Sequence, residues 1–258
     1  MSLPQLYQKA VIEAFEECDY QEIFSLNFSK DPSQWNSAHI NVLKKFLTAN
    51  DGDVTKAKEQ LVKTLEWRKE YQPLKAMNEE FDPEFAKLGV ITQAPDKKII
   101  VWNLYGAIKN PGEVFAKVDK FVRWRIGLHE RALTYLDFSD PKLGRMDQVH
   151  DYMDVSFLRM DSSVRKTSKG IVHMFQEYYP ETLSAKYFVN VPLIMMWVFK
   201  VISSFSNGAT ASKFHVLKDG SHLSNDLGSW VPAKYGGKGK PLNEQEIRKS
   251  AKEEEEVE

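Results

Sequence analysis

Cysteine is nearly absent from this chain of 258 residues, where Cys18 stands alone. A single thiol excludes an intramolecular disulfide and any cysteine-rich metal cluster, and it suits a reducing compartment. Long apolar runs are missing as well. The longest, Val191–Phe199, falls far short of the roughly 20 residues that a membrane-spanning helix needs. The N-terminus, MSLPQLYQKAVIEAF, carries a glutamate inside its apolar stretch and has no signal-peptide core. Neither charge sign is in surplus. The formal net charge is −1 and the basic residues are scattered, which argues against nucleic acid as a partner. Catalytic signatures are lacking too: no G-x-S-x-G, Walker loop, H-E-x-x-H or C-x-x-C-H occurs. The six histidines (His39, His129, His150, His173, His215, His222) are nowhere paired at metal-ligand spacing. These absences predict a soluble, cytosolic protein and give no reason to expect an enzyme.

What is present is a globular core: 42% of residues are hydrophobic and 12% aromatic. The first third reads helical. Leu6, Ala10, Val11 and Phe15 recur at helical spacing, and Leu43, Phe46 and Leu47 follow the loop NFSKDPSQWNSAH. Asp53 is placed to N-cap a helix over Val54–Glu70, which Pro73 should end. From about residue 85 strands and helices alternate. Strand signals fall at Lys98–Tyr105, around Val149, at Ala185–Val191 and at Lys213–Leu217. Helical stretches run from Pro111 to about Leu136, over Val164–Tyr178 and over Leu193–Phe205. Crossovers of this length predict an α/β fold with a mainly parallel sheet.

Several polar residues sit where an apolar one is expected. In Val149–Val155, alternation along a strand puts His150, Tyr152 and Asp154 on one face. That face is either a polar strand end or the wall of a pocket. Arg125 falls on the apolar stripe of its helix with Phe115, Val118, Val122, Ile126, His129 and Leu133. A guanidinium buried there needs an anion, which either a protein carboxylate or a ligand acid group can supply. Tyr105 closes its strand on the face of Val101 and Asn103, and Lys186 heads the strand Tyr187–Val191. A tyrosine there is ordinarily core or rim with its hydroxyl bonded to backbone, and a lysine at a strand mouth is more often on the surface than a ligand. Leu193–Phe205 is apolar nearly all round, so it is either buried or faces lipid, and Ser203-Ser204 and Asn207-Gly208 provide a flexible exit.

The text Leu43-Lys44-Lys45-Phe46-Leu47, Asp53-Val54-Thr55-Lys56-Ala57 and Leu65–Tyr71 resembles the N-terminal helical module of the CRAL-TRIO family of lipid-binding proteins. Tyr178-Tyr179-Pro180-Glu181, Val189-Asn190-Val191-Pro192, Ser212-Lys213-Phe214 and Val231–Gly237 match that family's ligand domain in order and spacing. The likeness spans roughly residues 40–237; it departs at Lys44-Lys45 and Thr48-Ala49-Asn50, where the family usually carries Arg-rich text. It implies a helical module over residues 1–78, a ligand-binding domain over 79–240 and a charged tail over 241–258. It also implies a pocket closed by a mobile apolar helix, here Leu193–Phe205, which would make transient membrane contact. A phosphoinositide headgroup site would fall on Glu181 and Lys213.

Trp102–Gly106, Val118–Leu128, Gln148–Tyr152 and Ala185–Pro192 look most like a fungal branch of the family, recorded both as phosphatidylinositol transfer proteins and as haem-binding proteins. That resemblance carries the haem contacts onto Tyr105, Arg125, His150, Tyr152 and Lys186. It implies ferric haem b with Tyr152 as the axial iron ligand, His150 beside the iron, and Arg125 and Lys186 on the propionates. The rival is a phosphatidylinositol carrier without a redox cofactor. Peroxidase-like catalysis is a third reading, with His150 and His173 as its candidate acid/base residues. The expected location is cytoplasmic, with peripheral association with the endoplasmic reticulum or plasma membrane.

Overall fold

The structure, a computed structural model, describes residues 3–108, 117–155, 162–191 and 212–247, with the backbone alone for residues 162–169. The expected helix start at Pro111 with its Phe115, the apolar helix Leu193–Phe205 and the glutamate run of the tail lie outside the described residues. The chain divides into two compact units: residues 1–86, 108–146 and 155–184 form one, and residues 87–107, 147–154 and 185–258 the other.

The first unit is helical: α1 (Gln5–Cys18), α2 (Ser37–Ala49), α3 (Val54–Tyr71), α4 (Pro73–Asn78), α5 (Val118–Leu133) and α6 (Ser162–Tyr178). In α1, Tyr7, Ala10, Val11, Ala14, Phe15 and Cys18 recur at three and four residues and are all buried. Burying each large side chain of such a stripe contributes about 1.5–3 kcal/mol. Asp53 caps α3 as expected, its carboxylate accepting from Lys56 N at 3.1 Å. Pro73 behaves differently from expectation. α3 ends on Gln72, whose φ of 53° turns the chain, and Pro73 opens α4 at a helix start where its missing N–H is no loss. Helices α4 and α5 touch backbone to side: a Cβ on Gly127 would lie 2.3 Å from the Ala76 carbonyl oxygen, so only glycine fits there. A short antiparallel pair, β1 (Glu22–Ile23) and β2 (Leu26–Asn27), was not signalled by the sequence pattern.

The sheet has five strands in the order β3 (Gly89–Gln93), β4 (Ile99–Leu104), β5 (Met146–Asp151), β6 (Leu183–Val189) and β7 (Phe214–Leu217). Pairs β4–β5 and β6–β7 are parallel, and the Tyr152 N–H donates to Val189 O at 3.0 Å beside the end of β5. The mixed α/β class with a mainly parallel sheet is as expected. The exception is β3, an antiparallel edge strand. Its open side is met by the chain's return at Glu246 and Ile247, the latter donating to Ile91 O at 2.9 Å, which shields an otherwise bare edge.

One face of this sheet is an apolar core. Ile100, Trp102, Val149, Tyr187 and Val189 pack with Leu223, Val231, Tyr235 and Leu242. Trp102 stacks on Tyr235 at 4.9 Å and donates from Nε1 to Thr92 Oγ1 at 2.8 Å. The strand read over Val149–Val155 is displaced: β5 covers Met146–Asp151, and the chain turns directly after it. The cause is Asp151, whose Oδ1 accepts from Met153 N at 3.0 Å in an Asx turn, with Asp154 at φ 63°. Asp154 therefore does not continue the alternation that His150 and Tyr152 begin.

Candidate functional site

The other face of the sheet carries the predicted residues. Asn103 and His150 are register partners across β4 and β5. Tyr105 opens the turn that follows β4, and Tyr152 directly follows β5, so each lies two residues beyond one of those partners. The aromatic rings assemble there. Tyr105 lies edge-on to His150 at 5.3 Å and 5.7 Å from Tyr152. Phe188, from β6, lies 5.4 Å from His150 and stacks at 6.4 Å on Tyr152, at 15° between planes. Lys186 sits with Nζ 5.5 Å from the Phe188 ring centre, and its N–H donates to Lys213 O at 2.7 Å. Four of the five residues assigned to haem are thus brought to one patch, with Phe188 as a hub that the sequence reading missed. Period-two alternation from Lys186 was the available signal, since it puts Phe188 on the same face.

Two polar side chains of this patch, His150 and Asn103, are buried. His150 is 5% exposed and its Nε2 lies 3.3 Å from Gln148 Oε1, two residues back on the same strand. Asn103 is fully buried; its amide nitrogen lies 3.4 Å from Val101 O and from Val149 O, while Oδ1 has no partner among the described residues. The turn after β4 presses on the turn after β5: a Cβ on Gly106 would lie 1.8 Å from Met153 O. Glycine there lets the two backbones touch and sets the spacing of Tyr105 and Tyr152.

Arg125 belongs to the helical unit. It is 3% exposed on α5, its Nη1 has no hydrogen-bond partner among the described residues, and its guanidinium carbon lies 5.5 Å from the Phe175 ring centre. Among the described residues no carboxylate pairs with it. Arg68 in the same unit shows what satisfaction looks like. It is fully buried, donates to both oxygens of Glu22 (2.9 and 2.7 Å) and of Glu130 (2.7 and 3.1 Å), and is held well above its ordinary pKa. Tyr179 donates to Glu130 Oε1 at 2.5 Å, and burial followed by that carboxylate pushes its phenol well above the usual range.

The headgroup candidates are placed less simply. Glu181 stands at φ 53°, and its carboxylate pairs with Arg145 at 2.8 Å. Its carbonyl accepts from Lys45 Nζ at 2.9 Å, and Lys45, buried at the point where the sequence departs from the family, also donates to Gly144 O at 2.7 Å. Lys213 immediately precedes β7 in the sheet unit. Gly236, at φ 79°, and Tyr235 of the segment Val231–Gly237 are structural, with Tyr235 OH donating to Asp151 Oδ2 at 2.7 Å.

A mainly parallel sheet with one face packed solid and the other lined by aromatic rings and buried polar side chains defines an α/β ligand-binding domain. The chain belongs to the CRAL/TRIO domain family, whose domain matches residues 87–237. It is 39% identical to the phosphatidylinositol transfer protein SFH5 of Kluyveromyces lactis over 90% of this chain and 80% of that protein. With the phosphatidylinositol transfer protein sfh5 of Sclerotinia sclerotiorum it shares 44% identity over 82% of this chain and 56% of that protein, so the chain spans little more than half the length of that relative. Among solved structures, the crystal structure of Sfh5 superposes with a TM-score of 0.84 at 34% identity, over 96% of this chain and 93% of that one. No described helix is long and apolar enough to cross a membrane.

Proposed function

We propose that this chain is a carrier of the phosphatidylinositol transfer type whose sheet face holds ferric haem b, with Tyr152 as the axial ligand. The observation that carries the reading is the buried Arg125 guanidinium, which no carboxylate among the described residues pairs with. A desolvated cation of this kind costs several kcal/mol unless an acid group completes it. We assign that group to a ligand acid, such as a haem propionate, and Lys186 to a second one. The residues on the sheet face fit the remainder of such a ligand. Phe188, Tyr105 and Tyr152 offer flat apolar contact, and His150 is held by Gln148 beside Tyr152 rather than opposite it. Bound ferric haem supplies a Lewis-acidic iron that favours a hard phenolate donor. Tyr152 Oη would give up its proton on ligation, and the surrounding rings would keep water out. In this reading the protein carries its ligand and does no catalysis of its own, working in the cytoplasm with peripheral visits to endoplasmic reticulum or plasma membrane.

The names of the relatives favour a second reading, a phosphatidylinositol carrier without a redox cofactor. Glu181 and Lys213 would then bind the headgroup, and Glu181 would have to share its carboxylate with Arg145.

Absorption spectra of protein purified from a haem-replete host decide between the two. The haem reading expects a strong Soret band with high-spin ferric features, and loss of the phenolate features in Tyr152→Phe. A colourless protein whose extracted ligand is phosphatidylinositol establishes the second reading instead. An unaltered haem spectrum in Tyr152→Phe removes Tyr152 as the ligand.

A further inference from the structure

Asp151 stands one residue before Tyr152 and points to the packed side of the sheet. It is 4% exposed, and both of its oxygens accept hydrogen bonds. Oδ1 accepts from Met153 N at 3.0 Å and from Asn190 Nδ2 at 2.7 Å. Oδ2 accepts from Tyr235 OH at 2.7 Å and lies 3.7 Å from Lys234 Nζ. Asn190, at φ 57° just past β6, passes the link on, its Oδ1 accepting from Gly220 N at 2.7 Å. One carboxylate therefore ties the turn after β5, the end of β6 and the Val231–Gly237 segment together. That turn positions Tyr152.

We infer that Asp151 is the positioning residue of the ligand face, fixing Tyr152 from across the sheet without touching the ligand. The inference rests on the reading of Tyr152 as a ligand-contacting residue. The geometry explains why a charged acceptor is needed. Three donors and a cation converge on two oxygens, and a carboxylate offers about four lone-pair sites with no donor of its own. In Asp151→Asn one oxygen becomes an NH2 group: the remaining amide oxygen can still serve Met153 N and Asn190 Nδ2, but the Tyr235 hydroxyl loses its acceptor and Lys234 its counter-charge. The tie to the Val231–Gly237 segment is lost, and the turn is held less firmly. The spacing of Tyr105 and Tyr152 depends on the same turn, because Met153 O is the atom against which Gly106 packs.

Two readouts separate this inference from the haem reading. The first needs no ligand: amide hydrogen exchange in ligand-free wild type, Asp151→Asn and the milder Tyr235→Phe, which removes one donor and keeps the carboxylate. Asp151→Asn should speed exchange at Tyr152–Asp154 by about tenfold or more, and Tyr235→Phe less, while amides in α1 and α3 keep the wild-type rate. Wild-type exchange at Tyr152–Asp154 in both variants overturns the inference, and so does acceleration spread evenly over the chain, which would mean general destabilisation. The second is the ferric spectrum of haem-loaded protein. Asp151→Asn should keep a Soret band but mix the Tyr152 phenolate signature with a second ligation state, in a proportion that Tyr235→Phe makes smaller. Faster exchange with an unmixed phenolate signature refutes the link to the ligand. If wild type binds no haem, the haem reading falls by itself, and the exchange result alone decides whether Asp151 fixes the turn.

Discussion

Replacing Arg125 by methionine should stabilise the ligand-free protein while weakening its ligand, an outcome opposite to that of most buried arginines. The guanidinium is 3% exposed and, among the described residues, has an unpartnered Nη1 and the Phe175 ring as its favourable electrostatic contact. Burying a charge of this kind costs several kcal/mol after relaxation. A cation over an aromatic ring returns about 0.5–2 kcal/mol. The difference leaves a net burden of about 2 kcal/mol, which methionine relieves while keeping the unbranched stem in place. For a chain of this size that corresponds to a rise in Tm of roughly 4–8 °C. In the loaded protein the sign reverses. Losing one partner of a buried charge pair costs about 2–5 kcal/mol, so affinity for an acidic ligand should fall by about 30-fold or more. Thermal unfolding of both proteins, ligand-free and loaded, measures the two effects together. If ligand-free Arg125→Met melts several degrees below wild type, the guanidinium is satisfied within the protein and the ligand assignment loses its main support.

Two further outcomes follow from the geometry of the sheet unit. Gly106→Ala forces a Cβ to within 1.8 Å of Met153 O, a backbone atom that cannot swing away. The Tyr105–Tyr152 spacing must change, so ligand retention should drop by about tenfold at a stability cost of about 1–3 kcal/mol, measured by ligand content and urea unfolding. Tyr187 is buried, and burial, then Asp147 and Asp226, push its pKa up to about 12. Its folded-state value exceeds the unfolded one of about 10, so its contribution to stability is whole below pH 10 and is lost as the pH rises toward 12. Urea midpoints from pH 8 to 12 should fall over that window in wild type and fall less steeply in Tyr187→Phe; identical slopes refute the assignment.

Residues that break a local rule were the legible part of this molecule. A histidine and tyrosines on a strand face and an arginine on an apolar helical stripe conflict with their surroundings, and such conflicts concentrate where a protein spends stability on function. Strand alternation sufficed to put His150 and Tyr152 on one face, because β5 and β6 keep their ladder as far as Tyr152 N. It failed at Asp154, because the Asx turn at Asp151 is a side-chain event that no periodicity reports. The same limit hid Arg68 and its two carboxylates. Glu22, Arg68 and Glu130 lie 46 and 62 residues apart, and nothing in the spacing of charges distinguishes a buried bidentate pair from a solvated one. Arg125 and Arg68 were therefore indistinguishable as letters in helices. Only the placement of carboxylates separates them: both oxygens of two glutamates for Arg68 and, among the described residues, none for Arg125. That contrast, within a single unit and under the same solvent exclusion, gives the Arg125 experiment its sign. A protein that satisfies one buried guanidinium in full has the means to satisfy another, and under the proposed function the charge of Arg125 is kept for a group that arrives from outside.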